Sequence, residues 1–138
     1  MPSVPSLRTN VLLRSEETGG QMSVTEIVVP PHSGGPPLHT HDFDEAFYML
    51  AGELIFQVDD ALVTKAAGQL SFAPRNAAHT LANPSDASAR YLLICTPAGF
   101  ERHWARTAAE AAGTEPPQWA LQRIPEVTIV GPPIAPPA

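Results

Sequence analysis

Residues 39–83 read HTHDFDEAFYMLAGELIFQVDDALVTKAAGQLSFAPRNAAHTLAN, and the punctuation of this stretch decides the fold. Short apolar runs (EAFYML, ELIFQV, ALVTKA, QLSFA) alternate with turn signals at Ala51-Gly52, Asp59-Asp60 and Gly68. Runs this short, rich in branched and aromatic residues and bounded by turn formers, predict strands. Upstream, Gln21–Val29 reads as a further strand, stopped by Pro30-Pro31, and the PHSGGPPL that follows is a loop. Downstream, HTLAN and ARYLLICT continue the pattern on either side of the polar loop PSDAS. Strands at intervals of about 8–12 residues, with no alternating helices, predict an all-β sandwich or barrel.

Outside this region the pattern changes. FERHWARTAAEAA, Phe100–Ala112, predicts a helix that packs Phe100, Trp104, Ala108 and Ala111 on the core and ends at Gly113. Residues 1–20 read as a polar N-terminal segment with one apolar patch at Val11, Leu12 and Leu13. Residues 114–138 hold seven of the 16 prolines and one strand candidate, Val127–Val130. Such a tail cannot build its own core, so it wraps along the barrel or a neighbouring subunit, or it is loose. The expected division is therefore a segment at 1–20, a barrel at 21–98, a helix at 99–113 and a Pro-rich tail at 114–138.

The 138 residues and 14.7 kDa fit one domain. Eight basic against fourteen acidic residues give a net charge of −6, which argues against a nucleic-acid partner. The single cysteine, Cys95, excludes an internal disulfide framework and suits a reducing, cytoplasmic setting. No apolar run approaches the roughly 18 residues of a membrane span. The opening MPSVPSLRTN lacks the apolar region of a secretory signal.

His39 and His41 share a parity with Glu45, so on an extended backbone two imidazoles and a carboxylate line one face. Phe47 and Met49 continue that face as an apolar wall. His79 opens another apolar run 38 residues after His41. Three imidazole nitrogens and one carboxylate oxygen suit a first-row divalent ion such as Fe, Mn, Ni, Cu or Zn. Spacing leaves a second reading open, in which HTH is an exposed polar turn and His79 an ordinary turn histidine. His32 and His103 read as surface or packing residues, and Cys95 as a small buried apolar group. Asp42 and Asp44 have the opposite parity and read as loop solvation or partners of the ligands. Glu26 reads as a surface residue.

At this point the chain resembles the cupins, small jelly-roll β-barrels. The first cupin motif asks for Gly, five residues, HxH, three or four residues, Glu, six residues and Gly. Here His39-Thr40-His41, Glu45 and Gly52 keep those intervals, with Ser33 where the first Gly belongs. The second asks for Gly, five residues, Pro-x-Gly, two residues, His, three residues and Asn. Gly68, Pro74, His79 and Asn83 keep these, with Asn76 in place of Gly. The approach loop near Gly34 and Gly35 is then expected to shift, and Asn76 to adopt the left-handed conformation that Asn tolerates.

The resemblance implies a six-to-eight-stranded double-sheet barrel holding a divalent metal on His39, His41, Glu45 and His79, and a homodimer. The close TPAGFERHW is similar to the quercetinase-like group. By that analogy the chain is a dioxygenase acting on a flavonol-like or other enolisable aromatic molecule. Glu45 would be the base, its pKa raised by the apolar pocket. Phe47, Met49, Leu54, Phe56, Phe72 and Leu81 are the expected substrate pocket. A non-oxidative polyketide cyclase or isomerase, and a non-catalytic binding cupin, are the alternatives.

Overall fold

The computed structural model describes residues 7–136, so residues 1–6 of the predicted N-terminal segment and the last two of the tail lie outside it. Ten strands form: β1 (Arg8–Leu13), β2 (Ser23–Val29), β3 (His39–Thr40), β4 (Asp44–Ala51), β5 (Glu53–Val58), β6 (Ala61–Ala66), β7 (Leu70–Ala73), β8 (His79–Ala82), β9 (Ala89–Thr96) and β10 (Thr128–Ile129). They build two five-stranded antiparallel sheets, ordered β1-β2-β9-β4-β7 and β10-β3-β8-β5-β6. The expected all-β double-sheet fold is present. It has more than the expected six to eight strands because β1 and β10 come from segments read as lying outside the barrel. β1 pairs with β2 from Arg8 opposite Val28 onward, and β10 pairs Ile129 with His39.

Alternation places the core between the sheets. β2 buries every second residue from Ser23 to Val29, and β9 does the same at Ala89, Tyr91, Leu93 and Cys95. With Phe47 and Met49 on β4 and Leu54 and Phe56 on β5 they form one cluster. Each large apolar side chain buried there contributes about 1.5–3 kcal/mol. Glu26, facing outward on β2, meets Arg90 at 3.5 Å on the surface as expected.

The helix α2 (Glu101–Ala112) ends at Gly113, which is left-handed at φ 69°, as the sequence predicts. Its buried stripe is corrected in part. Phe100 and Trp104 pack against the core as expected, partly buried, but the fully buried positions are Glu101, Ala105 and Ala109, while Ala108 is half-buried and Ala111 exposed. A buried carboxylate is tolerated because Glu101 accepts hydrogen bonds from Ser15 N and Oγ, both at 2.7 Å, and from Gly99 N at 2.6 Å. Burial raises its pKa, but these donors outweigh burial and hold it below the usual carboxylate value. The preceding short helix α1 (Ser15–Thr18) thus ties β1 to α2.

Two polar devices join the loops to the sheets. Asn83 is fully buried; its amide donates to Pro30 O at 3.0 Å and Ala87 O at 2.9 Å, and its Oδ1 accepts from Ser85 N and Oγ. Ser33 exchanges backbone hydrogen bonds with Asn83, both at 2.8 Å, so the position needs no glycine. The glycine the loop requires is Gly35, at φ 70°, where a Cβ would lie 1.7 Å from Leu81 O. Gly35→Ala is therefore expected to destabilise the fold severely, by several kcal/mol on the scale of backbone strain and overpacking. Gly34→Ala, whose Cβ meets nothing within 4 Å, is expected to stay within about 1 kcal/mol of wild type. Denaturant midpoints for the two variants check the contrast.

Candidate metal centre and cavity

Strands β3, β4 and β8 carry the four residues the motifs single out. His39 on β3 stands directly opposite His79 on β8, an antiparallel pair whose rings are 4.5 Å apart. His41 follows β3, stacked on Phe43 at 3.6 Å, with its ring 4.6 Å from that of His79. The turn holding His79 is fixed to the first motif by Asn76 N, which donates to His41 O at 2.8 Å. Asn76 takes the expected left-handed conformation, φ 69°.

All three imidazoles are oriented in the same way. His39 Nδ1 bonds Pro37 O at 2.8 Å, His41 Nδ1 bonds Phe43 O at 3.0 Å, and His79 Nδ1 bonds Ala77 O at 2.9 Å. A carbonyl oxygen only accepts, so each Nδ1 carries the proton and each Nε2 presents a lone pair. The three donor atoms lie within 4.8 Å of one another. His41 Nε2 and His79 Nε2 are buried with no hydrogen-bond partner among the described residues. Buried, unpartnered imidazole nitrogens whose opposite nitrogens are held by backbone carbonyls fit a divalent metal. The exposed-turn reading of these histidines does not fit, since His41 and His79 are buried and His39 is half-buried.

Glu45, buried on β4, contacts His41 Nε2 through Oε1 and lies 3.6 Å from His79 Nε2. The expectation of a raised Glu45 pKa is overturned. Burial does push it up, but the close approach and charge of His41 and His79 outweigh burial and bring it down to about 2. Glu45 raises the His79 pKa in return, against its burial, whereas burial lowers that of His39. Cys95, opposite Glu45 across β4 and β9, is buried as expected, and burial first and the Glu45 charge second push its thiol pKa up.

The cluster opens onto a cavity of about 690 Å³. Of the six expected pocket residues, Phe47 and Leu81 line it. Met49, Leu54 and Phe56 are instead buried in the core beyond its wall. Phe72 is 51% exposed on the outer face, because β7 pairs it with outward-facing Ala46 and turns Ser71 and Ala73 inward. Parity is safe within one strand, but between strands it depends on turn geometry.

The rest of the wall was not legible from the motifs. It includes Tyr91 and Leu93 on β9, Phe100, His103 and Trp104 on or before α2, and Ile124, Pro125, Val127 and Ile129 of the tail. His103, read as packing or surface, is on this wall; burial first and nearby Arg106 second lower its pKa. Arg106 fastens the tail to α2, donating to Ala120 O at 2.6 Å and Gln122 O at 2.9 Å. No Arg or Lys is among the described residues on the wall. His32 lies outside, paired with Asp86 at 2.9 Å, and Asp44 holds Arg75 on the surface at 3.1 Å while Asp42 is exposed.

Residues 25–95 match the family model described as a cupin domain, and this chain belongs to the cupins. No curated protein sequence matches it. Among solved structures it is similar to a predicted oxalate decarboxylase from Thermotoga maritima, with 24% identity, a TM-score of 0.62, and coverage of 66% of this chain and 80% of that one. It is also similar to the polyketide cyclase RemF from Streptomyces resistomycificus, with 22% identity and a TM-score of 0.58 over 65% of this chain and 64% of that one. An RmlC-like cupin from Shewanella frigidimarina gives 19% identity and a TM-score of 0.58 over 67% of this chain and 77% of that one. These likenesses show the fold. Among the described residues no helix is long and apolar enough to cross a membrane.

His39→Ala and His79→Ala are each expected to lose most bound metal and keep a cooperative unfolding transition; metal analysis and circular dichroism check both. Metal needs neutral imidazoles, and Glu45 keeps His79 protonated to higher pH than usual. Affinity for Zn²⁺ should therefore rise between about pH 6 and about pH 8, read by calorimetric titration.

Proposed function

We propose that this chain is a metal-dependent enzyme, a dioxygenase acting on a flavonol-like or other enolisable aromatic small molecule. The observation that carries this reading is the cavity of about 690 Å³, largely apolar and aromatic, with His39, His41, His79 and Glu45 opening onto it. That volume suits a drug-sized planar molecule. Wall residues without Arg or Lys disfavour phosphorylated substrates. A divalent ion held by His39, His41 and His79, with Glu45 beside them, would supply Lewis acidity and free coordination positions.

The protein's own groups do the rest. Phe47, Leu81, Phe100 and Trp104 exclude water and hold the ring face. Glu45 is the carboxylate within reach of a substrate hydroxyl at the cluster, and its role is to accept that proton. Pairing with His41 and His79 makes it a weak base, so this role requires those imidazoles to be engaged elsewhere. A second reading is a non-oxidative polyketide cyclase or isomerase, one structural neighbour being named a polyketide cyclase. From the resemblance alone, we also propose a homodimer as the working unit; a monomeric mass by light scattering overturns it.

Oxygen uptake with quercetin tests the leading reading. Product formed equally without oxygen replaces it by the cyclase, and binding without turnover replaces both by a binding cupin. Metal analysis of protein purified without added metal adds to this. Iron, manganese, nickel or copper favours oxygenation, and zinc favours the cyclase. Glu45→Gln is expected to keep most metal and lose turnover by roughly 10²–10⁴-fold. Full activity at full metal occupancy ends the general-base role.

A further inference from the structure

Tyr91 is 3% exposed, and it lines the cavity. On β9 it stands opposite Ile27 of β2 and Met49 of β4, two inward positions along from Cys95, which faces Glu45. That places its backbone roughly 13 Å along the strand from the level of the histidine cluster. Its ring packs on Phe47 at 5.6 Å, and Phe47 packs on Phe56 at 5.1 Å.

A phenyl ring would fill the same space in this aromatic cluster without a hydroxyl to desolvate. Of the other polar groups in this region, Trp104 Nε1 on the cavity wall is also buried without a partner among the described residues, whereas Thr80 and Asn83 are engaged. Thr80 donates to Pro36 O at 2.7 Å, and the Asn83 amide donates to Pro30 O and Ala87 O. The Tyr91 hydroxyl makes no hydrogen bond to any described residue, and Glu45 is occupied with His41 and His79. The open side of Tyr91 is the cavity.

We propose that Tyr91 is a specificity-determining residue, donating a hydrogen bond to a carbonyl or similar acceptor oxygen on an aromatic ligand seated in the cavity. The inference rests on reading the cavity as an aromatic pocket and adds a second recognition point, away from the histidines. Burial first, then the Glu45 charge, push the phenol pKa up, which keeps the hydroxyl protonated and a donor.

The test uses 2-acetylnaphthalene and 2-ethylnaphthalene, matched in size and differing in one carbonyl oxygen. A purely apolar wall prefers the hydrocarbon, because the ketone loses its hydration unrepaid. Wild type is expected to prefer the ketone, and Tyr91→Phe to lower the ketone-to-hydrocarbon affinity ratio by about tenfold or more. Hydrocarbon affinity should stay unchanged, and the variant's melting temperature should equal or exceed that of wild type. A preference that survives in Tyr91→Phe places the recognition at another group and overturns the proposal. So do a wild type that binds neither probe or shows no preference, and a variant that melts well below wild type, since the hydroxyl would then serve the fold. Oxygen uptake with quercetin is read separately. Uptake with no Tyr91 effect overturns this inference alone, and a Tyr91 effect without uptake overturns the dioxygenase reading alone.

Discussion

The pairing of His39 with His79 across two short antiparallel strands is the constraint on which the site depends. Neither strand could hold it alone, since β3 has two residues and β8 four. Their register is fixed from both ends. Asn76 N reaches His41 O on one side, and Ser33 and Asn83 exchange backbone hydrogen bonds on the other. The imidazoles inherit that rigidity through their Nδ1 bonds to Pro37, Phe43 and Ala77 carbonyls, each two residues away in sequence. Orientation is thus a local property of the backbone, and proximity is a property of the sheet.

The electrostatics of the cluster follow from this confinement. Two imidazoles and one carboxylate are buried together with His39 half-buried beside them, and burial disfavours every charged form. Contact with His41 and His79 pulls the Glu45 pKa down, and Glu45 pushes that of His79 up, each against the effect of burial. A buried carboxylate in an apolar barrel is not automatically a strong base; its neighbours decide.

The cavity is a joint product of distant segments. β9 supplies Tyr91, the start of α2 supplies His103 and Trp104, and the tail supplies Ile124 to Ile129. Arg106 and the β10–β3 pairing hold the tail there, so residues more than 80 positions from His39 close the space beside it. This explains why a chain with 16 prolines keeps an ordered course beyond its barrel. The rigid segment runs as an extended strap that a side chain and one short strand suffice to fasten.

The sequence by itself determined the strands of the barrel, the left-handed turn at Asn76 and the parity that sets His39, His41 and Glu45 together. Those are consequences of spacing within single elements, where side-chain direction follows from counting. It also carried the family, because two motifs with fixed intervals agreed. Tertiary structure decided that Phe72 faces outward, that Glu101 rather than Phe100 leads the buried stripe of α2, and that β1 and the tail complete the sheets. It decided the depressed Glu45 pKa and the positions of Tyr91 and His103 on the cavity wall. Each of these depends on the register between elements or on the approach of groups far apart in sequence. No periodicity within one element encodes such approach.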